Sequence, residues 1–122
     1  MPATASITIT GAILETPTGA RTVGPITLTS AAANGEVQRI VLQAGANTIT
    51  VPTVPATNGC VIVLPATNTS VTTLKGVTGD TGIALGKTTK HVLNWDPTAA
   101  PASFVLTSVS TQTALATEIT FF

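Results

Sequence analysis

One segment of the chain is close to a pattern for nucleotide chemistry, and it runs from Gly82 to Thr88. It reads G-I-A-L-G-K-T, which is one residue shorter than the phosphate-binding pattern G-x-x-x-x-G-K-[ST]. A phosphate-binding loop follows a buried strand and opens a helix, so that backbone N–H groups converge on the phosphates. The residues that follow, T-K-H-V-L, have the composition of a strand. The sequence therefore does not predict a nucleotide site here.

His91 and Asp96 are the residues to consider for hydrolysis, because a Ser–His–Asp mechanism needs a base that a carboxylate orients. The chain contains serines but no G-x-S-x-G segment. Its acidic residues are too few for a calcium site, and their spacing pairs no two of them for glycoside cleavage. These acids are Glu15, Glu36, Asp80, Asp96 and Glu118. We therefore predict no catalytic residue, no metal site, no cofactor and no enzymatic activity.

Four residues are candidates for contacts with other molecules: Trp95, Asp80, Phe121 and Phe122. Trp95 stands between two polar residues, and an indole in such a setting can stack on a sugar ring. The alternative is that Trp95 closes one end of the core. We expect Asp80, in T-G-D-T-G, to hydrogen-bond the backbone of its own loop. Phe121 and Phe122 end the sequence, and we expect them to leave apolar surface for a neighbour.

The elements that must position these residues are strands, because Thr, Val and Ile pack well on a pleated surface and are restricted in a helix. Alternating apolar and hydroxyl residues predict half-buried strands at 6–10, 26–29, 47–51 and 117–121. Continuously apolar segments predict central or doubly covered strands at 39–42, 60–64 and 104–106. Shorter strands are predicted at 71–75, 82–85 and 91–95.

Turn residues separate these segments about every 8 to 12 residues, which is typical of a sandwich or a barrel. Strong helix formers are scarce, and Gly or Pro interrupts the alanine-rich stretches. We predict an all-β fold with essentially no helix, formed by a single antiparallel β-sandwich of eight or nine strands. The sandwich is expected to be immunoglobulin-like or jelly-roll-like and to span residues 1–122, with residues 1–5 as an extended N-terminal arm.

Composition excludes several classes of partner. Of the 122 residues 8% are charged, five of each sign, and 26 are threonine, whereas about 25% of an ordinary domain is charged. So few basic residues cannot form the patch that nucleic acid requires. The longest apolar run, 60–64, is too short to cross a membrane, and the N-terminus has no signal-peptide pattern. We therefore expect neither nucleic acid nor membrane as a partner.

The single cysteine, Cys60, cannot form an internal disulfide. The sequence V-I-V follows it directly. A reactive thiol needs exposure and a nearby positive charge, and neither is indicated here. We predict a buried, unreactive thiol.

Three segments of the chain resemble small all-β virion structural proteins of tailed bacteriophages. The resemblance lies in G-A-N-T-I-T-V-P at 45–52, L-K-G-V-T-G-D-T-G-I at 74–83 and S-F-V-L at 103–106. It does not cover the residues before about 35. Proteins of this kind decorate capsids or belong to the tail. The resemblance implies a virion location, assembly in the host cytoplasm and no catalytic residues.

These expectations combine into one interpretation with two alternatives. The chain is expected to be a non-enzymatic capsid decoration protein that associates with itself and with another virion protein, such as a major capsid protein. One alternative is a tail-associated virion protein. The other is a carbohydrate-binding sandwich that holds a glycan on Trp95. An enzyme would need a role for His91 that the sequence does not indicate.

Overall fold

The computed structural model describes residues 3–15, 19–112 and 116–122, and within them the fold is all-β. The described residues form ten strands and one 3₁₀ turn at Pro97–Ala99, so the predicted fold class is confirmed with a slightly higher strand number. The strands are β1 (Ala3–Glu15), β2 (Gly19–Ala33), β3 (Val37–Ile40), β4 (Gly45–Thr50), β5 (Gly59–Val63), β6 (Thr72–Lys75), β7 (Ile83–Ala84), β8 (Lys90–Asn94), β9 (Ser103–Ser108) and β10 (Thr117–Phe121).

Strands β3 to β10 form two four-stranded sheets. The order in sheet I is β3-β10-β5-β8, and the order in sheet II is β4-β9-β6-β7. All pairs are antiparallel. Counted along these eight strands, the first pairs with the eighth, the second with the seventh, the third with the sixth and the fourth with the fifth. This is the strand order of a jelly roll, one of the two sandwich types that the sequence left open.

The core lies between the two sheets because each central strand directs alternate side chains inward. Sheet I contributes Ile62, Ile119 and Phe121, and sheet II contributes Ile49 and Leu106. Each of these side chains is fully buried. The connections between strands add Leu42, Val51 and Leu64 to the same cluster.

The prediction of central strands is correct for two of the three continuously apolar segments. Strand β5 lies between β10 and β8, and β9 lies between β4 and β6. The third segment, 39–42, begins in the edge strand β3 and ends in the connection after it, so that part of the prediction is wrong. Val37 and Val41 face outward there, and both are about two-fifths exposed. The central position belongs to β10, whose alternating sequence predicted a half-buried strand.

Strands β1 and β2 form a separate two-stranded sheet. The residues of this hairpin pair in register, with Ile7 opposite Leu28 and Ile9 opposite Ile26. Directly opposed side chains share one face, so these four residues form an apolar stripe. Residues 3–5, expected as an arm, are the first residues of β1.

Gly24 allows β1 and β2 to continue pairing past a β-bulge. The register shifts between Ile9 and Gly11, where two residues of β2 stand against one of β1. Gly24 has a φ of +84°, in the left-handed region, and a Cβ at this position would collide with the carbonyl of Ile9. The bulge therefore depends on glycine at position 24.

Candidate functional site

An apolar groove opens between the two sheets where β8 and β7 form neighbouring edges. Its volume is about 500 Å³. Its apolar walls come from Leu74, Ile83, Leu93, Trp95, Pro101 and Phe104. We call it the edge groove. Because β7 is two residues long, it covers little of this side of the core, and partly buried core residues line the opening.

Trp95 is held in the wall of the edge groove by its indole nitrogen. Nε1 donates to the carbonyl oxygen of Thr57 at 2.9 Å and lies 3.2 Å from Thr57 Oγ1. Thr57 is fully buried, and the backbone N–H of Trp95 donates to the carbonyl of Asn58. The indole is half-buried and packs against the core. The indole therefore forms part of the groove wall, and its hydrogen bond to Thr57 fixes the orientation of the ring.

Asp80 lies on the rim of the same groove, so the fold brings together two of the four candidate contact residues. Asp80 Oδ2 accepts from the backbone N–H of Val77 at 2.9 Å, and the backbone N–H of Asp80 donates to the carbonyl of Val77. The predicted bond to its own loop is confirmed. Lys75 Nζ reaches the carbonyl of Thr78 at 3.4 Å. Both rim charges therefore support the loop.

Gly82 brings the end of this loop against β6. Its φ is +75°, and a Cβ there would lie 2.5 Å from the carbonyl oxygen of Leu74. Glycine is required on both grounds, because other residues rarely adopt this φ and no side chain fits the space. This close approach places Ile83 at the mouth of the edge groove.

Phe121 and Phe122 are buried, which corrects the expectation that the end of the sequence leaves apolar surface. Phe121 is fully buried and Phe122 is 4% exposed. The reason is that β10 is a central strand, paired with β3 and β5. The backbone of Phe122 continues this pairing, since its N–H donates to the carbonyl of Gly59 at 3.0 Å. Neither side chain is a contact surface.

The segment that resembles a phosphate-binding loop has a local structural role. It contains β7 and a turn, and strand β8 follows it, as the sequence predicts. His91 Nε2 lies 3.1 Å from the carbonyl oxygen of Gly86 and 3.0 Å from Thr89 Oγ1. Since a carbonyl only accepts, Nε2 is the donor in that bond. The imidazole of His91 therefore stabilises the turn at residues 86–89, which precedes β8.

Cys60 and Asp96 also have structural surroundings. Cys60 is fully buried, and burial raises the pKa of its thiol to about 12. The prediction of a buried thiol is confirmed. Asp96 caps the 3₁₀ turn through Oδ1, which accepts from the hydroxyl and the backbone N–H of Thr98. These bonds lower the pKa of the Asp96 carboxyl.

Large aliphatic side chains are exposed at separate places on the surface. Val109 is 75% exposed, and its N–H donates to the carbonyl of exposed Val71 at one end of the sandwich. Val54, 89% exposed, follows the opposite end of β4. Ile83 and Val77 are exposed near the edge groove. In the hairpin, Ile9 is 38% and Ile26 47% exposed.

Threonine covers much of the remaining surface. Among the residues with a described burial, most threonines are exposed, as the alternating pattern predicts. Three are fully buried instead: Thr57, Thr72 and Thr117. Thr117 donates to Gln112 Oε1 at 3.0 Å, and the same oxygen accepts from the backbone N–H of Leu42. Part of the hydroxyl content therefore connects loops inside the sandwich.

Sequence reasoning found Trp95 and Asp80 but missed the aliphatic residues of the edge groove and of the hairpin. The alternation at 6–10 and 26–29 did indicate that the hairpin has one apolar face. Whether another sheet covers such a face depends on the arrangement of strands, which a local pattern does not contain. Leu74 and Leu93 have the sequence context of inward-facing strand residues, and only the strand order shows that they lie where the core opens into the groove.

Comparison of the chain with protein-family models, curated protein sequences and solved structures finds no match. In the described ranges no helix has the length and apolar character needed to cross a membrane. In the same ranges no three His, Cys, Asp or Glu side chains are grouped so that they could hold a metal ion. The physical character of the surface is therefore the basis for a functional proposal.

Proposed function

We propose that the chain is a non-enzymatic virion structural protein of a tailed phage that acts as a capsid decoration protein. It associates with itself and binds the surface of the shell. The observation that carries this proposal is the spread of exposed aliphatic side chains over several sides of a surface with few charges and no net charge. A module that binds one small ligand needs a single concave site, whereas a subunit of a lattice makes contacts on several sides.

The ends of the sandwich show this spread most clearly. Strand β4 runs from Gly45, opposite Ser108, to Thr50, opposite Ser103. Val109 directly follows Ser108, and Val54 lies in the turn four residues after Thr50, so the two valines are near opposite ends of the sandwich. Contact with a neighbour would bury this apolar surface, and each Å² buried would stabilise the contact by about 25 cal/mol.

The low charge supports association for a second reason. Net charge keeps protein molecules apart through mutual repulsion, and this chain has five charges of each sign. Arg39 and Glu118 are adjacent across β3 and β10, with Nε and Oε2 3.1 Å apart, so part of this charge is paired locally. Threonine suits such contacts because its hydroxyl both donates and accepts and its side chain loses little entropy on ordering.

Cosedimentation with virus particles that lack this protein tests the proposal. We expect the purified chain to bind in many copies per particle, at regular positions in an averaged reconstruction of the shell. Val54→Thr and Val109→Thr, at opposite ends, identify which end contacts the shell. A chain that stays in the supernatant and is monomeric at high concentration would contradict the proposal. Regular density on the tail would support the alternative of a tail-associated protein.

A carbohydrate-binding role is the second candidate, because the half-buried ring of Trp95 faces an open groove. Glycan-array binding distinguishes it from the first. If a glycan stacks on the indole, Trp95→Phe retains an aromatic surface and part of the affinity, whereas Trp95→Ala abolishes binding. Binding that is unchanged in both variants would exclude this role for Trp95.

A further inference from the structure

We propose that the β1–β2 hairpin of one copy of this chain packs its apolar stripe into the edge groove of a second copy. The inference rests on the proposed function, since it names the surfaces through which copies associate. Within the described residues two apolar features are open to solvent: the stripe of Ile7, Ile9, Ile26 and Leu28, in which Ile9 and Ile26 are exposed and the other two are partly buried, and the edge groove.

The hairpin needs a covering surface to be stable. A two-stranded hairpin by itself is marginal in water, and three strands or packing on another element are needed for independent stability. Within the described residues β1 and β2 pair with each other and with no other strand. Ile9 and Ile26 are opposite each other in the middle of the stripe, and both are exposed. The hydroxyl face of the hairpin, with Thr8 opposite Thr27, can face water.

The surface area of the chain indicates how much contact is missing. A compact monomer of 12.2 kDa exposes about 6,100 Å². This chain exposes 7140 Å², which is about 1,000 Å² more than that expectation. Each partner in a standard protein interface buries about 800 Å². The excess is therefore the size of one partner's share of a stable interface.

The edge groove matches the stripe in chemistry. Its walls are aliphatic and aromatic, and the described face of the stripe consists of three isoleucines and a leucine without a charge. The groove lies beside two strand edges, those of β7 and β8, where an added strand can also form backbone hydrogen bonds. Neither Lys75 nor Asp80 on the rim needs a charged partner, because each is bonded to its own loop.

Because Ile9 and Ile26 are exposed, the hairpin does not fill the groove of its own chain, and a second copy is the proposed owner of the groove. The hairpin joins the sandwich at β3, one edge of sheet I, whereas the groove lies at β8, the other edge. Three strand spacings, about 14 Å, separate these edges. A contact between different surfaces on opposite edges is heterologous. Repeated copies then close a ring or extend as an open chain.

Light scattering on the full-length chain after size exclusion provides the first test. The hairpin variant carries Ile9→Thr and Ile26→Thr, which keep β-branched side chains and remove apolar surface. The groove variant carries Ile83→Glu, which places a charge at the mouth of the groove. We expect each variant to be monomeric, with association at least roughly 100-fold weaker than in the wild type. Matched controls are Val54→Thr and Val109→Glu, which should still associate.

Mixing the two variants provides the decisive test. The hairpin variant keeps an intact groove, and the groove variant keeps an intact hairpin. A heterologous contact therefore predicts that the hairpin of the groove variant binds the groove of the hairpin variant, which gives a one-to-one dimer and nothing larger. If the hairpins of two copies instead pack on each other, the groove variant alone remains associated and the mixture gains nothing. That result would overturn the proposal. Far-UV circular dichroism and a thermal melt of each variant confirm that the sandwich is folded.

The outcomes separate this inference from the proposed function. A wild-type chain that is monomeric at high concentration but binds virus particles would overturn the proposed contact between hairpin and groove and leave the decoration role intact. If the two variants form the one-to-one dimer but the wild-type chain fails to bind virus particles, the contact between hairpin and groove is supported and the decoration role is contradicted.

Discussion

At the residue scale, burial does not follow from a position in the sequence. Phe121 and Phe122 are the last residues of the chain, yet both are buried, because they continue the pairing of β10 with β5. Ile9 and Ile26 lie in regular strands, yet both are exposed. Cys60 agrees with its sequence context, because a central strand carries it into the core. Each outcome depends on which strand lies next to the residue.

The thiol of Cys60 provides a test at this scale. With its pKa raised to about 12, the folded protein should not react with an aromatic disulfide reagent at mildly alkaline pH, whereas the unfolded chain should react once per molecule. The unfolded thiol ionises near 9.0, so unfolding releases a proton between that pH and about 12. Stability from this group is fully present below pH 9 and is lost as the pH rises.

Thermal melts across this alkaline range check the linkage. Cys60→Ala should lack the part of the pH dependence that the thiol causes, although cavity formation lowers its overall stability. Rapid labelling of the folded wild type would show that the thiol is accessible and would contradict its placement in the core.

At the element scale, short strands and loops determine the shape of the edge groove. Strand β7 has two residues, so sheet II ends early and leaves Leu74 partly exposed at the groove, whose wall also includes the buried Phe104. The bonds of Asp80 to Val77 close the loop from Gly76 to Gly82, and Gly82 brings the end of that loop against Leu74 of β6. The groove is thus a consequence of how one edge strand ends.

Substitution of Gly82 tests this account of the loop. A methyl group at this position would lie 2.5 Å from the carbonyl oxygen of Leu74, and the φ of +75° is unfavourable for alanine. We expect Gly82→Ala to lower the free energy of unfolding by about 1 to 2 kcal/mol in chemical denaturation. Gly79→Ala is the matched control, since nothing lies within 4 Å of a Cβ there. Equal stability of the two variants would contradict a special role for Gly82.

At the scale of the whole molecule, the hairpin and the sandwich differ in what stabilises them. Among the residues whose burial the structure describes, the members of the core cluster lie between Leu42 and Phe121, and none of them belongs to β1 or β2. After the hairpin, the N–H of Gly35 donates to the carbonyl of Phe121, which connects the chain to sheet I. The sandwich therefore contains its own core and its own eight strands.

Deletion of the hairpin tests this independence. A chain that begins at Asn34 should retain the far-UV spectrum of a β-sandwich and melt within a few degrees of the full chain under conditions where both are monomeric. The full chain carrying Ile9→Thr and Ile26→Thr is the control for monomeric state. A shortened chain without a cooperative transition would show that the hairpin contributes to the fold of the sandwich.

The sequence by itself determined the strand content, the turns and the neutral, hydroxyl-rich surface. These follow from local chemistry, because β-branched residues in alternation favour a pleated chain and a composition with few charges cannot form a charged patch. It also predicted the bonds of Asp80, which join neighbouring residues of one loop, and the burial of Cys60, which begins a continuously apolar segment.

Tertiary structure alone decided which strands are central, which apolar faces are covered and where the core opens into a groove. Arg39 and Glu118 are neighbours although 79 residues separate them in the chain, and this pairing places β10 in the centre of sheet I and β3 at its edge. Burial of Phe121 and exposure of Ile9 both follow from such distant pairings. A local pattern records that a strand has an apolar face, but long-range strand order determines what that face meets.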